Sequence, residues 1–431
     1  MKSAQILKGG RVVDPANGVD EVRDIAVDGG VIVAPDALGA DAEVVDMTGL
    51  TIVPGLIDIH VHLRDPGQTQ KEDIATGTSA AARGGFTSIL AMPNTRPPID
   101  SRMRLEEVNA RIQRHAMVRV LQAASLTVGS KGEMLSDAHE MRDAGAAALT
   151  DDGGCIQSSA LMLAAMRQAV EAGLPVVDHA EDLEVAAGGV LHDGRVAHEL
   201  GLKGKSRSSE ELIVARDIVL ARETGCPVHI QHVSSAGTVE LIRIARRWGL
   251  PVTGEATPHH LALTEDACLQ YGTNAKMNPP LRTEEDRDAI VAGVIDGTLT
   301  VIATDHAPHT AEEKANGFES APFGIIGLET AVAICLTELH HGRGMELVDL
   351  TRRFTQGPRE ALGLAAGTLS AGVRADITVL DVDAEHVIDA SAFASKSRNC
   401  PYHGWKCKGL VRRTMVDGHW VFINKTNKLE K

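Results

Sequence analysis

The chain reads as an α/β protein: a (β/α)8 TIM-type barrel with a smaller composite β-sandwich domain formed by the N- and C-terminal segments. Three observations predict this. Two β-rich ends flank a central segment of different texture, and that segment repeats apolar strand, polar strand end and amphipathic helix eight times. Nearly every polar strand end carries residues able to bind a metal or a substrate. Alternating strands and helices imply a parallel sheet, and eight such units imply closure into a barrel whose chemistry sits at the carboxyl ends of its strands. At 431 residues the chain exceeds a lone barrel, which commonly takes about 250 residues.

Residues 1–54 are expected to give the first part of the sandwich, with short strands at 4–7, 11–13, 22–27 and 42–45 between Asp-Pro, Asn-Gly and Gly-Gly turn signals. The barrel occupies 55–365. Its strands end at Asp58-Ile59-His60, at Leu90 to Asn94, at Leu121 to Ser125, at Leu149 to Asp152, at Val177-Asp178-His179, at Ile230-Gln231-His232, at Gly254 to Thr257 and at Ala303 to His306, with helix-like runs such as 71–83 and 208–224 between them. Residues 366–431 return to the sandwich, with strands at 376–380, 409–416 and 419–423.

Composition narrows the function classes. Hydrophobic residues make up 43% and aromatics only 3%, so Ala, Val, Ile and Leu must fill the interior, as they do in barrel cores. No stretch approaches the ~20 apolar residues of a membrane span, and the first ten residues lack a signal-peptide apolar region. A cytoplasmic protein is expected. A net charge of −15 argues against nonspecific binding to nucleic acid or to a membrane surface. It leaves an acidic small molecule open, because a few local cations can dominate a cleft. The six cysteines, Cys155, Cys226, Cys268, Cys335, Cys400 and Cys407, form no Cys-x-x-Cys pair and are expected to be reduced and mostly buried.

The first barrel strand ends in His60 and His62. Residues i and i+2 of a strand project from one face, so both imidazoles reach one point beyond the strand end, a spacing that suits Zn²⁺ or a similar borderline metal. Arg64 continues the alternation and offers a planar fork suited to a carboxylate. Taken alone, the motif is equally a chance grouping of surface residues; the other strand ends decide against that. Gathered at one mouth, His60, His62, Asp152, His179, His232 and Asp305 supply four imidazoles and two carboxylates. That set is enough for one or two metals with an open position for water, provided a carboxylate bridges. A lone His179 or His232 is more often an ordinary satisfied histidine, but their joint occurrence at the ends of strands 1, 4, 5, 6 and 8 argues against chance. Such a metal pair lowers the pKa of bound water toward ~7, supplies hydroxide and polarises a carbonyl, while Asp305 is the candidate catalytic residue that shuttles a proton to a leaving nitrogen. The reaction class is hydrolysis of a C–N bond.

Arg64, Asn94, Asn278 and His309 lie at strand ends or on the following loops and are candidate anchors for an anionic, amide-rich substrate; loop capping or turn hydrogen bonds explain either asparagine equally well. Thr257-Pro258-His259-His260 adds two histidines that read as supporting, because the metal set is already full. Residues 314–323, with Gly317 and Pro322, read as a mobile loop over the mouth or as a solvated connector. Pro322, Phe323 and Gly324 could bring backbone groups against a flat substrate.

Several of these motifs occur together. The run Gly55 to Gly67, Met92-Pro93-Asn94-Thr95, Asp151-Asp152-Gly153-Gly154 and Ala303-Thr304-Asp305-His306-Ala307-Pro308-His309 resemble the dihydroorotase family, of the bacterial longer-chain (class I) type, within the amidohydrolase superfamily. The resemblance spans nearly the whole chain, including Ser395-Lys396-Ser397-Arg398-Asn399 and Gly404-Trp405. The run from His60 to Gly67 is common to several cyclic-amide hydrolases, whereas Asp-Asp-Gly with Thr-Asp-His-Ala-Pro-His is more specific.

The resemblance implies reversible interconversion of N-carbamoyl-L-aspartate and L-dihydroorotate, the ring-closing step of de novo pyrimidine biosynthesis. It also implies one or two Zn²⁺ ions per subunit: one held by His60, His62, Asp152 and Asp305, a second by Asp152, His179 and His232. Asp305 would be the acid/base. Arg64, Asn94 and His309 would bind the substrate carboxylate and Asn278 the ring, with His62, Phe323 and Gly324 completing the substrate-binding set. A homodimer is expected, and association with aspartate transcarbamoylase is open to it.

The sequence departs from the family pattern twice. Many relatives bridge their metals with a carbamylated lysine after strand 4, where this chain has Asp152, and Leu202 to Arg207 lacks the prolines of the pattern, on a connector expected to stand away from the chemistry. Two alternatives compete: a hydantoinase or allantoinase, and a noncatalytic homologue serving as a structural partner of aspartate transcarbamoylase. Arg64 with Asn94, and the missing lysine, argue against the first. The complete set of six ligands argues against the second.

Overall fold

The computed structural model describes residues 4–424. Eight parallel strands follow one another around the barrel in chain order: β1 (Leu56–Val61), β2 (Phe86–Ala91), β3 (Arg119–Ala124), β4 (Ala146–Leu149), β5 (Val176–Asp178), β6 (Val228–Ile230), β7 (Val252–Ala256) and β8 (Val301–Ile302). A parallel bridge between Val61 and His306 joins the first strand to the segment after the last and closes the ring. A helix follows each strand: α1 (Ile74–Arg83), α2 (Arg102–His115), α3 (Ala138–Asp143), α4 (Ser159–Ala172), α5 (Ser208–Thr224), α6 (Ala236–Arg247), α7 (Glu284–Asp296) and α8 (Leu347–Ala361). Side-chain caps start several of them: Asp73 and Thr283 form capping boxes on α1 and α7, and Ser235 accepts from Thr238 N on α6.

Ile57, Ile59, Leu90, Met92, Ala123, Ala148, Val177, Val301 and Ala303 pack together as one buried cluster drawn from six strands or their ends. A larger apolar layer lies between strands and helices. Aliphatic side chains dominate both, as the low aromatic content requires.

The terminal segments build two further sheets. One has the strand order Val31–Val33, Ile25–Asp28, Gln5–Lys8, Glu43–Asp46; the other runs His419–Ile423, Lys406–Val416, Ile377–Val387, Thr51–Pro54, Arg11–Asp14, Val19–Val22. Thr51–Pro54 joins the two ends of the chain, antiparallel to Ile377–Val387 and parallel to Arg11–Asp14. Leu7, Val27, Ile32 and Val45 from the first sheet meet Val12, Ile52, Ile377, Val379 and Met415 from the second in one core.

The strand expected over 22–27 is two strands belonging to different sheets. The chain breaks at Arg23-Asp24, where the Asp24 side chain accepts from Gly9 N (2.9 Å). All six cysteines are buried and unpaired. No described helix is long and apolar enough to cross a membrane.

Candidate active site

At the carboxyl end of β1 the pairing register shifts between Asp58 and Val61, a bulge-like irregularity that re-aims the side chains that follow. Asp58 anchors the turn: its carboxylate accepts from His60 N (3.1 Å), Thr304 N (3.1 Å) and Thr304 Oγ1 (2.6 Å), tying β1 to the end of β8. Burial pushes the Asp58 carboxyl up to about 7, against these hydrogen bonds.

His60, His62 and His179 are each held by one ring nitrogen and offer the other. His60 Nδ1 donates to Glu255 Oε1 (2.6 Å), leaving Nε2 at 3.4 Å from Asp152 and 3.5 Å from Asp305. His62 Nδ1 donates to Asn94 Oδ1 (2.9 Å), leaving Nε2 at 3.0 Å from Asp305 and 3.5 Å from Asp152. His179 Nδ1 lies 3.7 Å from Asp152 and 2.8 Å from His232 Nε2, while its Nε2 faces Glu181 at 3.4 Å.

Three overlapping triads therefore converge, each with ligand atoms within 4.8 Å of one another: His60, His62 and Asp152; Asp152, His179 and His232; and His60, His232 and Asp305. Four buried imidazole nitrogens around two carboxylates, with the opposite ring nitrogens held by Glu255, Asn94 and Glu181, fit the donor chemistry of a metal site.

The electrostatics follow from this crowding. Burial opposes ionisation of Asp152, but His60 and His62 outweigh it and hold the carboxyl well below the usual range; His60 and His62 do the same for Asp305. Burial likewise pushes the His60 imidazole down, but Glu255, Asp305 and Asp152 raise it well above its ordinary value. His232, buried beside His179 and His60, is pushed down to about 3 and stays neutral, the form in which an imidazole ligates. Among the six described non-glycine residues with positive φ, three are Arg64 (58°), His232 (30°) and Asp305 (47°). Strained backbone is thus concentrated at the mouth.

A cavity of about 290 Å³ opens here, lined by His62, Arg64, Asn94, Asp152, His179, His232, Asn278, Asp305, His309, Phe323 and Gly324, among others. It gathers every site residue expected from sequence except His60, which is fully buried and contacts the cavity's two carboxylates. A larger groove of about 660 Å³ beside the Ile377–Val387 strand contains none of them.

Arg64 is 9% exposed and forms no ion pair among the described residues; its Nε donates to Pro308 O (3.3 Å) and its Nη2 lies 3.4 Å from His309 Nε2. Asn94 Nδ2 donates to Asp152 Oδ2 (3.0 Å). His309 Nε2 donates to Phe323 O (2.8 Å), and burial beside Arg64 pushes the imidazole down to about 2. At Gly324 (φ 107°) an added Cβ would lie 2.5 Å from Ala307 Cβ, so only glycine fits.

Other residues take part that the sequence reading had not singled out. Glu255, fully buried on β7, binds His60, His229 Nε2 (3.0 Å) and His232 N (3.0 Å) at once; an acid within a barrel strand was the signal the sequence offered. Asn399 accepts from His309 N (3.2 Å) and donates to Ala307 O (3.0 Å) and Gly324 O (3.1 Å).

The connector of residues 202–207 does not stand away from the site. A short parallel pair, Leu191–His192 with Gly204–Lys205, folds it back, and buried Lys205 reaches Glu181 and Asn278. Residues 314–323 contain part of one short helix, Ala311–Lys314, and a second, Gly317–Ser320; 315–317, 319 and 320 are exposed, while Lys314 and Ala321 are buried. Lys314 Nζ donates to Pro322 O (3.0 Å) and Gly324 O (3.0 Å), and Lys276 Nζ donates to Phe318 O and Ala321 O. His260 bonds Thr257 Oγ1 (2.8 Å) and Pro279 O (3.2 Å), a supporting place as expected.

Comparison with known proteins adds four likenesses. The family model described as Dihydro-orotase-like matches residues 49–238. A dihydroorotase of Pelotomaculum thermopropionicum is 48% identical across 97% of this chain and 99% of its own length, and one of Shouchella clausii is 46% identical across 97% and 98%. Among solved structures, an L-hydantoinase (dihydropyrimidinase) of Arthrobacter aurescens superposes with a TM-score of 0.88 at 26% identity, covering 97% of this chain and 96% of that one.

Proposed function

Since the chain belongs to the dihydroorotase family, we propose that the cavity at the barrel mouth binds L-dihydroorotate and N-carbamoyl-L-aspartate and interconverts them through the residues gathered there. The activity is that of a cyclic amidohydrolase acting on a small molecule in pyrimidine biosynthesis. Arg64 carries the reading. A buried guanidinium without an ion pair among the described residues, on the wall of a cavity beside a metal-binding cluster, calls for an anionic ligand.

The ligand set suits zinc: His60, His62, Asp152 and Asp305 would hold one ion and Asp152, His179 and His232 a second. Bound zinc would supply hydroxide at neutral pH and polarise the scissile carbonyl. The chain's own residues do the rest. Arg64, Asn94 and His309 take the substrate carboxylate, Asn278 meets the ring, and the Phe323-Gly324 backbone lies along its flat face. His62 and Asn94, bonded to each other, fix one corner of the cavity.

In hydrolysis the ring C–N bond breaks and water's oxygen joins the carbonyl carbon. One of water's hydrogens reaches the leaving nitrogen through Asp305, which is held ionised and so begins as the base. Ring closure reverses these transfers.

The same proposal takes residues 55–365 as the barrel and 1–54 with 366–431 as the sandwich. It also includes a cytoplasmic setting, a homodimer and association with aspartate transcarbamoylase, the last two read out by light scattering with and without that partner.

The hydantoinase alternative draws on the structural likeness and on shared chemistry. Metal-loaded protein is expected to turn over dihydroorotate and not hydantoin or allantoin, and Arg64→Met to lose on the order of a hundredfold or more in kcat/KM, as removal of a charged hydrogen-bonding partner does. Hydantoin turnover without dihydroorotate turnover overturns the reading.

A further inference from the structure

We propose that Lys205 is a positioning residue for ring recognition: together with Glu181 it brackets the Asn278 amide and sets which of its ends the cavity is offered. This rests on the reading of Asn278 as the residue that meets the ring.

Lys205 arrives on the connector that lacks the family's prolines and is 5% exposed. Its Nζ donates to Asn278 Oδ1 (2.6 Å), ion-pairs with Glu181 and lies 5.1 Å from the centre of the Phe323 ring. Glu181 Oε2 accepts from Asn278 Nδ2 (2.9 Å). The amide oxygen therefore faces a cation and the amide nitrogen an anion. An amide turned end for end would set carbonyl oxygen against carboxylate and N–H against ammonium, so only one orientation is compatible with the pair.

His179 sharpens the point. As a ligand in the triad with Asp152 and His232 it offers the Nδ1 lone pair, so its Nε2 carries the hydrogen and points at Glu181 (3.4 Å). Asn278 Nδ2, also a donor, lies 3.2 Å from the same Nε2 and cannot bond to it in that tautomer. One Nδ2 hydrogen goes to Glu181, and the second is left for the cavity that Asn278 lines. The pocket wall thus presents an N–H donor, which selects a ring with a carbonyl oxygen at that position. Without Lys205 the amide is free to turn and present an acceptor instead.

The test is Lys205→Met in the full metal-loaded chain, with KM and kcat for dihydroorotate and metal content per chain as readouts. KM is expected to rise roughly tenfold to a hundredfold, the scale of a lost hydrogen bond to a charged group, with a smaller change in kcat and unchanged metal content. In an Asn278→Ala background the same substitution is expected to add nothing to KM.

Because Lys205→Met leaves Glu181 buried without its cation, the pair Lys205→Met with Glu181→Gln keeps the question open to measurement if the single variant fails to fold; it too must show the raised KM. Parental KM in either folded variant, additive effects with Asn278→Ala, or loss of metal in Lys205→Met each overturns the proposal. If the parent acts on hydantoin and not on dihydroorotate, the functional reading fails instead, and the cycle between positions 205 and 278 is then read on hydantoin.

Discussion

The candidate metal corner of the mouth, His60, His62, Asp152, His179, His232 and Asp305, stands within three residues of strand ends, whereas the proposed substrate wall begins equally close at Arg64 and Asn94 but takes Asn278, His309, Phe323 and Gly324 from farther along the loops. In the corner, charges answer one another directly: imidazoles and carboxylates meet at 3.0 to 3.7 Å, and Glu255 and Asp58 lock the strand ends behind them. Within the wall no described carboxylate pairs with Arg64; its internal contacts are His309 Nε2 to Phe323 O (2.8 Å) and Arg64 Nη2 beside His309 Nε2 (3.4 Å). Its members are tied by buried groups from far along the chain, such as Asn399, 90 positions from His309, and by the Lys205, Lys276 and Lys314 ammoniums. A barrel supplies the first kind of precision through its sheet; the second has to be supplied by added segments.

The largest break in the comparison comes from the corner. His62→Ala removes one ligand atom from the cluster and leaves Asp305 and Asp152 facing each other with less opposing charge. Metal content per chain is expected to collapse and kcat/KM to fall on the order of a thousandfold or more, the rate equivalent of several kcal/mol of lost charge stabilisation. Elemental analysis beside a dihydroorotate assay checks both. Retained activity in a chelator-treated variant would sink the assigned mechanism.

The same contrast explains what could be read from the sequence. Polar residues interrupting apolar strand ends are a local signal, so the eight strands and the corner were legible from the order of residues alone. Asn94, Asn278 and His309 were visible as strand-end or loop residues, but spacing left their roles open, and the identity of the ring came only from the resemblance. Lys205 was assigned to a remote connector because nothing within several residues of it announces the fold-back onto Glu181 and Asn278. Asn399 was noticed only as part of a motif, since its three partners lie 75 to 92 positions away. In the sandwich, the apparent strand at 22–27 failed for a related reason: continuous β propensity hides a two-residue break that only sheet membership reveals.

A weaker break tests the ties of the wall. Asn399→Ala orphans His309 N and the carbonyl of Ala307, at about 1 to 3 kcal/mol for each buried group left unbonded, while Gly324 O keeps its bond from Lys314. Because Asn399 touches no member of the metal cluster, metal content is expected to stay at the parental value while KM for dihydroorotate rises about tenfold. If metal is lost along with affinity, corner and wall are one unit and the distinction drawn between them fails.

The smallest effect sharpens the wall rather than breaking it. Lys314 donates only to the carbonyls of Pro322 and Gly324, and burial, reinforced by the charge of Lys276, pushes its ammonium down to about 7. An unfolded lysine titrates near 10.4, so between roughly pH 7 and pH 10 the unfolded chain holds a proton that the folded chain has released. Stability from this group therefore rises with pH across that window, and below it the cost of burying the charge is fully present. Lys314→Met removes the titration together with two hydrogen bonds. It is expected to flatten the rise in Tm between pH 7 and pH 9 relative to the parent, with the deficit largest at the alkaline end, as scanning calorimetry would record. Parallel Tm profiles for parent and variant would mean that Lys314 keeps its proton throughout, and that the wall is held by the same permanent charge as the corner.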